Sequence, residues 1–242
     1  MSRQIALSSL KSLWVHKYVF AGSAFYPFIL YALIVWLAGP TPQPTLTGSL
    51  LPFLIAPYFG RLVNNCHRKL LLDENPRSTF LDPRLSTRDF YLLIVYILLK
   101  MAMKVSDLAI DAITAQYGNL ALMGYVLLAG GVLYGGCRYI FVLPNISLGE
   151  TKPFRKSLEA SLGNEWMISS TFMWIVIPFY IFSLGIILAA IFIFDNLFGD
   201  SAYLYSALIV VFFYVFSAVL YSSVASHLLA AIHKTNRPQI SG

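Results

Sequence analysis

Charged residues are scarce in this chain: they make up only 12% of its 242 residues, against about 25% in soluble globular domains. Hydrophobic residues make up 58%, and the mean hydropathy is +0.70. So few charges cannot cover a water-facing surface, which excludes a soluble globular protein. We expect a single polytopic membrane domain, residues 1–242, without an appended soluble enzyme.

Cysteine is also scarce, and the common catalytic motifs are absent. Cys66 and Cys137 form neither a C-x-x-C motif nor a disulfide framework. No H-E-x-x-H, G-x-S-x-G or glycine-rich phosphate loop occurs. His227 and His233 are six residues apart, so one helix face does not present both as ligands. We therefore interpret the histidines as hydrogen-bonding groups at the membrane interface, and we predict no catalytic residue, metal or cofactor.

Six apolar stretches are long enough to cross a bilayer core, which takes about 20 helical residues. They predict an all-α integral membrane protein with six transmembrane helices in three hairpins, plus short interfacial helices. Pro52 and Pro57 weaken the second stretch, because each removes a backbone donor and can kink the helix. The predicted spans are Tyr18–Ala38, Leu46–Val63, Phe90–Ile113, Leu120–Leu143, Trp166–Phe194 and Tyr203–Ala231.

An amphipathic segment, residues 1–16, precedes the first span. Its apolar residues, which include Leu7, Leu10 and Trp14, alternate with polar ones at a spacing that suits a helix lying in the membrane interface. The alternative is a water-exposed extension of the first span.

The basic residues are distributed unevenly, and this asymmetry predicts the orientation. All but two of the 17 Lys and Arg residues lie before the first span, in the second and fourth loops or the adjoining ends of the second and fourth spans (Arg61 and Arg138), or after the sixth span. The positive-inside rule then places both termini in the cytoplasm, and we expect a bacterial inner-membrane location. The net charge of +6 suits anionic lipid headgroups on the cytoplasmic side, so we expect membrane lipids and no nucleic acid as partners.

Two cytoplasmic segments join these spans, and we name them the first elbow (residues 67–90) and the second elbow (residues 138–166). In the first elbow, Ser86 and Asp89 have capping-box spacing just before the third span. In the second elbow, an arginine–proline break from Arg138 to Pro144 precedes a basic amphipathic segment.

That basic segment, residues 150–163, predicts a helix lying along the cytoplasmic surface. Thr151 can cap it and Pro153 suits its first turn, while Gly163-Asn164 can end it. One face of the helix is expected to hold Phe154, Leu158, Ser161 and Leu162, with Arg155, Lys156 and Glu159 elsewhere.

Together the elbows resemble a known family. The arginine–proline break, the basic segment and Gly163-Asn164-Glu165-Trp166 resemble uncharacterised bacterial inner-membrane proteins. Those proteins are related to the membrane domain attached to some glycerophosphoryl diester phosphodiesterases. The run His67-Arg68-x-x-Leu71-Leu72-x-Glu74 is similar to their earlier elbow.

The resemblance spans roughly residues 60–170 and has two departures. Cys66 stands where an aromatic residue is usual, and Asp73 stands where a glycine is usual. The resemblance implies a fold of helical hairpins. It implies no catalytic residue, because the phosphodiesterase active site belongs to a soluble domain.

Several elbow residues are candidate contacts within the elbows or with lipid headgroups. Arg138 needs an acidic partner if it lies below the headgroups, and the candidates near the same surface are Glu74, Asp73 and Glu150. Alternatively, Arg138 reaches up to the interface and anchors its helix. The candidate contact residues are His67, Arg68, Glu74, Arg138, Arg155 and Lys156.

A stripe of four charged residues lies within the third predicted span. Lys100, Lys104, Asp107 and Asp111 are spaced by four, three and four residues, so they share one helix face. A charge near the membrane centre is costly, so such groups usually face protein or water. The stripe is either a polar path for transport or a paired structural network that ends in the periplasmic headgroups.

These features favour a non-enzymatic inner-membrane protein, a scaffold or accessory subunit that engages lipid, a partner membrane protein or a second copy of itself. The alternative is a small transporter or channel subunit whose polar path follows the third span. A lipid-modifying enzyme is the weakest hypothesis, because no catalytic constellation supports it.

The predicted topology can be tested by labelling introduced cysteines. In a variant without the native cysteines, cysteines at Thr41 and Gly199 should react with an impermeant thiol reagent added outside intact cells, because both lie in periplasmic loops. Labelling at Ser78 or Lys152 instead would show that the orientation is reversed.

Overall fold

Helices account for nearly all of the described chain. The computed structural model describes residues 1–38, 46–74, 86–92, 94–95, 97–98, 131, 134–199 and 202–236, and no strand occurs among them. The helices with defined bounds are α1 (Ser2–Val15), α2 (Lys17–Ala38), α3 (Leu46–Leu72), α4 (Val142–Leu148), α5 (Pro153–Ser161), α6 (Glu165–Phe198) and α7 (Ala202–Asn236). Shorter helical segments cover 87–92 and 134–139. The prediction of an all-α fold is confirmed for these residues.

Three of the described helices are long and apolar enough to cross a membrane. The qualifying stretches are Lys17–Ile34 in α2, Glu165–Phe198 in α6 and Tyr205–Thr235 in α7, and they overlap the first, fifth and sixth predicted spans. Large apolar side chains such as Trp174, Ile181 and Phe182 are exposed along α6. Apolar surface this extensive marks an interaction with lipid or protein. The three helices are compatible with a membrane protein.

Helix α3 is longer than the second predicted span. It runs through Pro52 and Pro57 and past the predicted end at Val63 to Leu72. The extension follows from packing, because Leu62 and Cys66 are fully buried on one helix face. The first elbow therefore begins with a continuation of α3 rather than with a loop.

The fourth predicted span ends earlier than expected. The helical segment 134–139 gives way to a turn at residues 140–141, and α4 follows from Val142. Most of the third and fourth predicted spans, including Lys100, Lys104, Asp107 and Asp111, lies outside the described residues.

Helix α1 is separate from the first span. It ends at Val15, and α2 begins at Lys17 after a break at His16. Ile5, Ala6 and Ser9 are buried as α1 packs on α6 and α7. A straight extension of α2 into water could not make these contacts. The placement of α1 in the membrane interface stays a prediction.

Helix α7 is the centre of the described bundle. It contacts each of α1 to α6. Its N-terminal half packs Val211, Val215 and Val219 against Phe59 and Leu62, and its C-terminal half forms a second cluster around Leu220, Val224 and Leu228. The core therefore follows one helix from end to end.

The 87–92 segment approaches the backbone of α3 closely at Gly60. A Cβ atom placed there would lie 2.7 Å from the main-chain oxygen of Asp89, whereas a Cβ at Gly185 in α6 would meet nothing within 4 Å. Gly60 therefore lets the 87–92 segment lie against α3.

We predict that Gly60→Ala destabilises the protein by about 1–3 kcal/mol, the usual cost of forcing extra volume into a packed contact. The matched control is Gly185→Ala, which adds the same methyl group to open space and should be neutral or stabilising by about 0.5–1 kcal/mol. Thermal unfolding in detergent measures both. Equal midpoints for the two variants would contradict the close approach.

Candidate functional site

The first elbow is held to α3 through Asp89. The main-chain N–H of Ser86 donates to Oδ2 of Asp89 (2.6 Å), and the main-chain N–H of Asp89 donates to the Ser86 hydroxyl (3.3 Å). The predicted capping box is thus confirmed. The second carboxylate oxygen accepts a hydrogen bond from Nδ2 of Asn64 on α3 (3.0 Å). The buried carboxylate of Asp89 therefore holds the preceding residue, Arg88, beside α3.

Two arginines meet at one carbonyl oxygen in the elbows. Nη1 of Arg68 on α3 and Nη1 of Arg88 donate to the main-chain oxygen of Ser147, at 3.1 and 3.3 Å. Ser147 lies near the end of α4, where carbonyl oxygens lack helical partners and carry partial negative charge. Arg68 also forms an ion pair with Glu74. We name Arg68, Arg88 and the Ser147 carbonyl the arginine clamp.

Gly149 makes the arginine clamp possible. It ends α4 in the left-handed conformation (φ 80°), which favours glycine. A Cβ atom at this position would also lie 2.9 Å from Nη2 of Arg88. The backbone angle therefore favours glycine, and a side chain here would also push the end of Arg88 aside.

His67 contacts protein, and it does not reach the surface. Its side chain is buried, with Nδ1 2.8 Å from the Ser226 hydroxyl on α7. Burial lowers the pKa of His67 below its usual value because desolvation disfavours the imidazolium. His67 is thus an elbow contact between α3 and α7, and the alternative of a headgroup contact is wrong.

Arg138 pairs with Glu165, which was not among its predicted partners. Its Nη2 lies 2.9 Å from Oε1 of Glu165 and 2.9 Å from the Tyr134 hydroxyl. The Arg138 side chain is only 15% exposed, so it is paired inside the second elbow.

The three predicted acidic partners of Arg138 pair with other basic residues. Glu74 pairs with Arg68, Asp73 with Lys69 and Glu150 with Lys156. Each of these partners lies only four to six residues away along the chain, whereas Arg138 is farther along the chain from all three acidic residues. Glu165 is different because it lies in the first turn of α6, which follows α5 directly.

Ser157 closes the break in the second elbow. Its hydroxyl donates to the main-chain oxygen of Arg138 (2.9 Å) and accepts from the main-chain N–H of Phe141 (3.1 Å). These are backbone groups that the interrupted helix leaves without partners. A serine on α5 therefore ties α5 to the start of α4.

The bounds of α5 agree with the predicted elbow helix, although its cap does not. Pro153 occupies the first turn, but the N-cap residue is Lys152 and no side-chain cap bond forms, so the prediction of Thr151 as the cap is wrong. Gly163 (φ 75°) follows the helix, and Nδ2 of Asn164 donates to the Ala160 carbonyl (3.1 Å). The predicted Gly163-Asn164 ending is therefore confirmed.

The orientation of α5 is unusual for a helix packed on a protein. Ser157 and Ser161 are fully buried, while Phe154, Leu158 and Leu162 are 51%, 37% and 54% exposed. The polar serines face the bundle, and the apolar stripe lies beside that contact. The stripe therefore needs an apolar environment outside the described bundle.

The two basic candidates on α5 have acidic neighbours. Nε of Arg155 lies 2.8 Å from Oε1 of Glu159, and Lys156 pairs with Glu150. All four side chains are at least a third exposed, and exposed pairs contribute only about 0–1 kcal/mol. Either cation can therefore exchange its partner for an external anion at little cost.

The described residues hold no group of three or more His, Cys, Asp and Glu side chains able to bind a metal ion. His227 instead joins helices: its Nε2 lies 2.9 Å from the Ser12 hydroxyl on α1, and its Nδ1 lies 2.9 Å from the Ser223 carbonyl. The hydrogen-bonding role predicted for the histidines is confirmed for His67 and His227.

The contacts of Arg88, Ser147, Ser157 and Glu165 were not predicted from the sequence. For Glu165 a signal existed, because an acidic residue just after Asn164 is typical of a helix N-terminus facing a cation. The other three contacts join residues from different elements, and no local pattern marks them.

We predict that Glu165→Gln destabilises the protein, because the largely buried guanidinium of Arg138 then keeps only Tyr134 as a partner. Arg138→Met combined with Glu165→Gln should recover part of this loss, since no buried charge is left unpaired. Glu159→Gln is the matched control, and it should change stability by less than about 1 kcal/mol. Unfolding in detergent measures the stability of each variant. The pairing would be contradicted if the double variant lost as much stability as Arg138→Met and Glu165→Gln lose together.

Comparison with known proteins leaves the chain without an assigned relative: no family model, curated protein or solved structure matches it. The resemblance to the phosphodiesterase-associated membrane domain thus stays a prediction from the elbow motifs.

Proposed function

We propose that the protein is a non-enzymatic inner-membrane scaffold or accessory subunit that binds the anionic lipid surface through α1 and α5. In this proposal six helices cross the membrane, both termini are cytoplasmic, and the elbows lie at the cytoplasmic headgroups. The distribution of Lys and Arg supports the orientation. The three long apolar helices support the membrane location.

The orientation of α5 is the observation that carries the proposal. A helix in water hides its apolar residues, but α5 buries two serines and exposes Phe154, Leu158 and Leu162. Acyl chains beneath a helix lying in the interface would cover that stripe, while Arg155 and Lys156 remain at headgroup level. Covering one large apolar side chain contributes about 1.5–3 kcal/mol. The three apolar side chains therefore contribute more to the free energy of membrane binding than the two basic side chains do.

Helix α1 supplies a second surface of the same kind. Its inner face is buried against α6 and α7, whereas Leu7, Leu10 and Trp14 are exposed. Nζ of Lys17 lies 4.3 Å from the centre of the Trp14 ring. Tryptophan beside a cation is typical of the headgroup region, where an amphipathic ring has one apolar and one wet side.

The two surface helices are attached to one centre. Both α1 and α5 contact α7, and Ser157 ties α5 to the segment that leads into α4. Lipid binding at either helix would therefore act on the same bundle. This arrangement suits a protein that presents a fixed surface to lipid or to a partner subunit.

Spin labels at positions 154–162 test the placement of α5 in liposomes that contain anionic lipid. We predict high oxygen accessibility at 154, 158 and 162, low accessibility to every probe at 157 and 161, and water accessibility at 155 and 159. This helical period is expected only if the stripe meets acyl chains. Uniform exposure to water along the segment would refute the proposal.

A charge reversal provides a matched measurement on the same helix. Arg155→Glu with Lys156→Glu should weaken binding to anionic over zwitterionic lipid, since each basic residue near such a surface contributes about 1 kcal/mol. The acidic neighbours Glu150 and Glu159 serve as controls, because replacing them with glutamine should strengthen the preference slightly.

A further inference from the structure

We infer that the arginine clamp binds the phosphate of one anionic glycerophospholipid. This inference deepens the proposed function and rests on it, because it names one ligand and one place for it. It concerns Arg88, a residue that none of the motifs singled out.

The arginine clamp holds more positive than negative charge. Arg68 and Arg88 both bond the Ser147 oxygen, so their guanidinium groups are close neighbours, well within the screening length of about 10 Å. Glu74 neutralises Arg68, whereas within the described part of the chain Arg88 has no acidic partner. Because the two guanidinium groups lie close together and only one carboxylate neutralises them, the site favours binding of a second anion.

The clamp also has unused hydrogen-bond donors. A guanidinium carries five N–H donors in a planar fork, and the bond from Arg88 to the Ser147 carbonyl uses one of them. Arg88 is only partly buried, and within the described residues its other donors make no hydrogen bond. Phosphate oxygens match this fork in geometry and accept two parallel hydrogen bonds from it.

Neighbouring apolar residues identify the source of the phosphate as a lipid. Leu72 follows Arg68 by four residues and Tyr91 follows Arg88 by three, so each shares a helix face with its arginine. Both are exposed, as is Phe90. A free phosphate ion has no use for these side chains, whereas a phospholipid places its glycerol and acyl chains beside its phosphate. The surplus positive charge favours an anionic headgroup over one that carries an ammonium group.

The role of Glu74 gives the inference a distinctive test. Glu74 competes with an external anion for Arg68, so removing its charge should strengthen lipid binding. If the clamp were only a structural link between α3 and α4, Glu74→Gln would leave lipid binding unchanged or weaken the fold. Glu74 is 46% exposed, so this variant is expected to fold.

Lipid retention can be measured by native mass spectrometry of the full chain, purified in mild detergent and supplied with equal amounts of phosphatidylglycerol and phosphatidylethanolamine. We expect one retained phosphatidylglycerol in the wild type. Retention should fall about fivefold in Arg88→Gln, the factor for losing one basic contact near an anionic group. It should fall less in Arg88→Lys, which keeps the charge but loses the fork, and it should rise in Glu74→Gln.

Arg3→Gln is the matched control, since it removes an exposed arginine of α1 and should leave the retained lipid unchanged. Loss of lipid in Arg3→Gln equal to that in Arg88→Gln would overturn the inference. So would displacement of the lipid by millimolar inorganic phosphate, which would indicate a site for free phosphate. If Arg88→Gln fails to fold, Arg88→Lys and Glu74→Gln carry the test.

The failure of this inference and the failure of the proposed function are distinguishable. Charge reversal at Arg155 and Lys156 changes the general preference for anionic bilayers, but it should leave the single lipid at the clamp in place. A retained lipid together with a water-exposed α5 would contradict the proposed surface helix. A membrane-inserted α5 without any retained lipid would contradict only the clamp as a lipid site.

Discussion

The packing of α7 against all the other described helices is the constraint on which the structure depends. Hydrophobic burial gives little drive for association between helices in lipid, because acyl chains are as apolar as leucine. Small and polar residues then hold the bundle. On α7 the Ser223 hydroxyl donates to the Ser9 carbonyl of α1 (3.0 Å), and Ser226 bonds His67 of α3. These contacts join α1 and α3 to neighbouring positions, three residues apart, on one serine-rich segment of α7.

The second elbow shows how an interrupted helix keeps its backbone groups satisfied. Leaving such groups without partners at membrane depth costs several kcal/mol each. The Ser157 hydroxyl serves one backbone acceptor and one backbone donor at the break, and two arginines serve the carbonyl of Ser147. The same side chains join α3, α4 and α5. The surface that we assign to lipid is therefore fixed to the bundle instead of being suspended on loops.

The transporter hypothesis and the scaffold hypothesis depend on different parts of the chain. The transporter hypothesis rests on the stripe formed by Lys100, Lys104, Asp107 and Asp111, which lies outside the described residues, so it stays a prediction from the sequence. The scaffold hypothesis rests on α1 and α5, which the structure describes. Our proposed function follows the second group of residues.

The sequence by itself determined the features that depend on neighbours along the chain. Apolar length determined α2, α6 and α7, capping-box spacing determined the Ser86–Asp89 contact, and Pro153 with Gly163 bounded α5. Only the tertiary structure decided which distant side chains meet: Glu165 for Arg138, Ser226 for His67 and Arg88 beside Arg68. The physical reason is that a helix or a cap forms from residues within one turn, whereas an ion pair depends on how separate helices are rotated and packed.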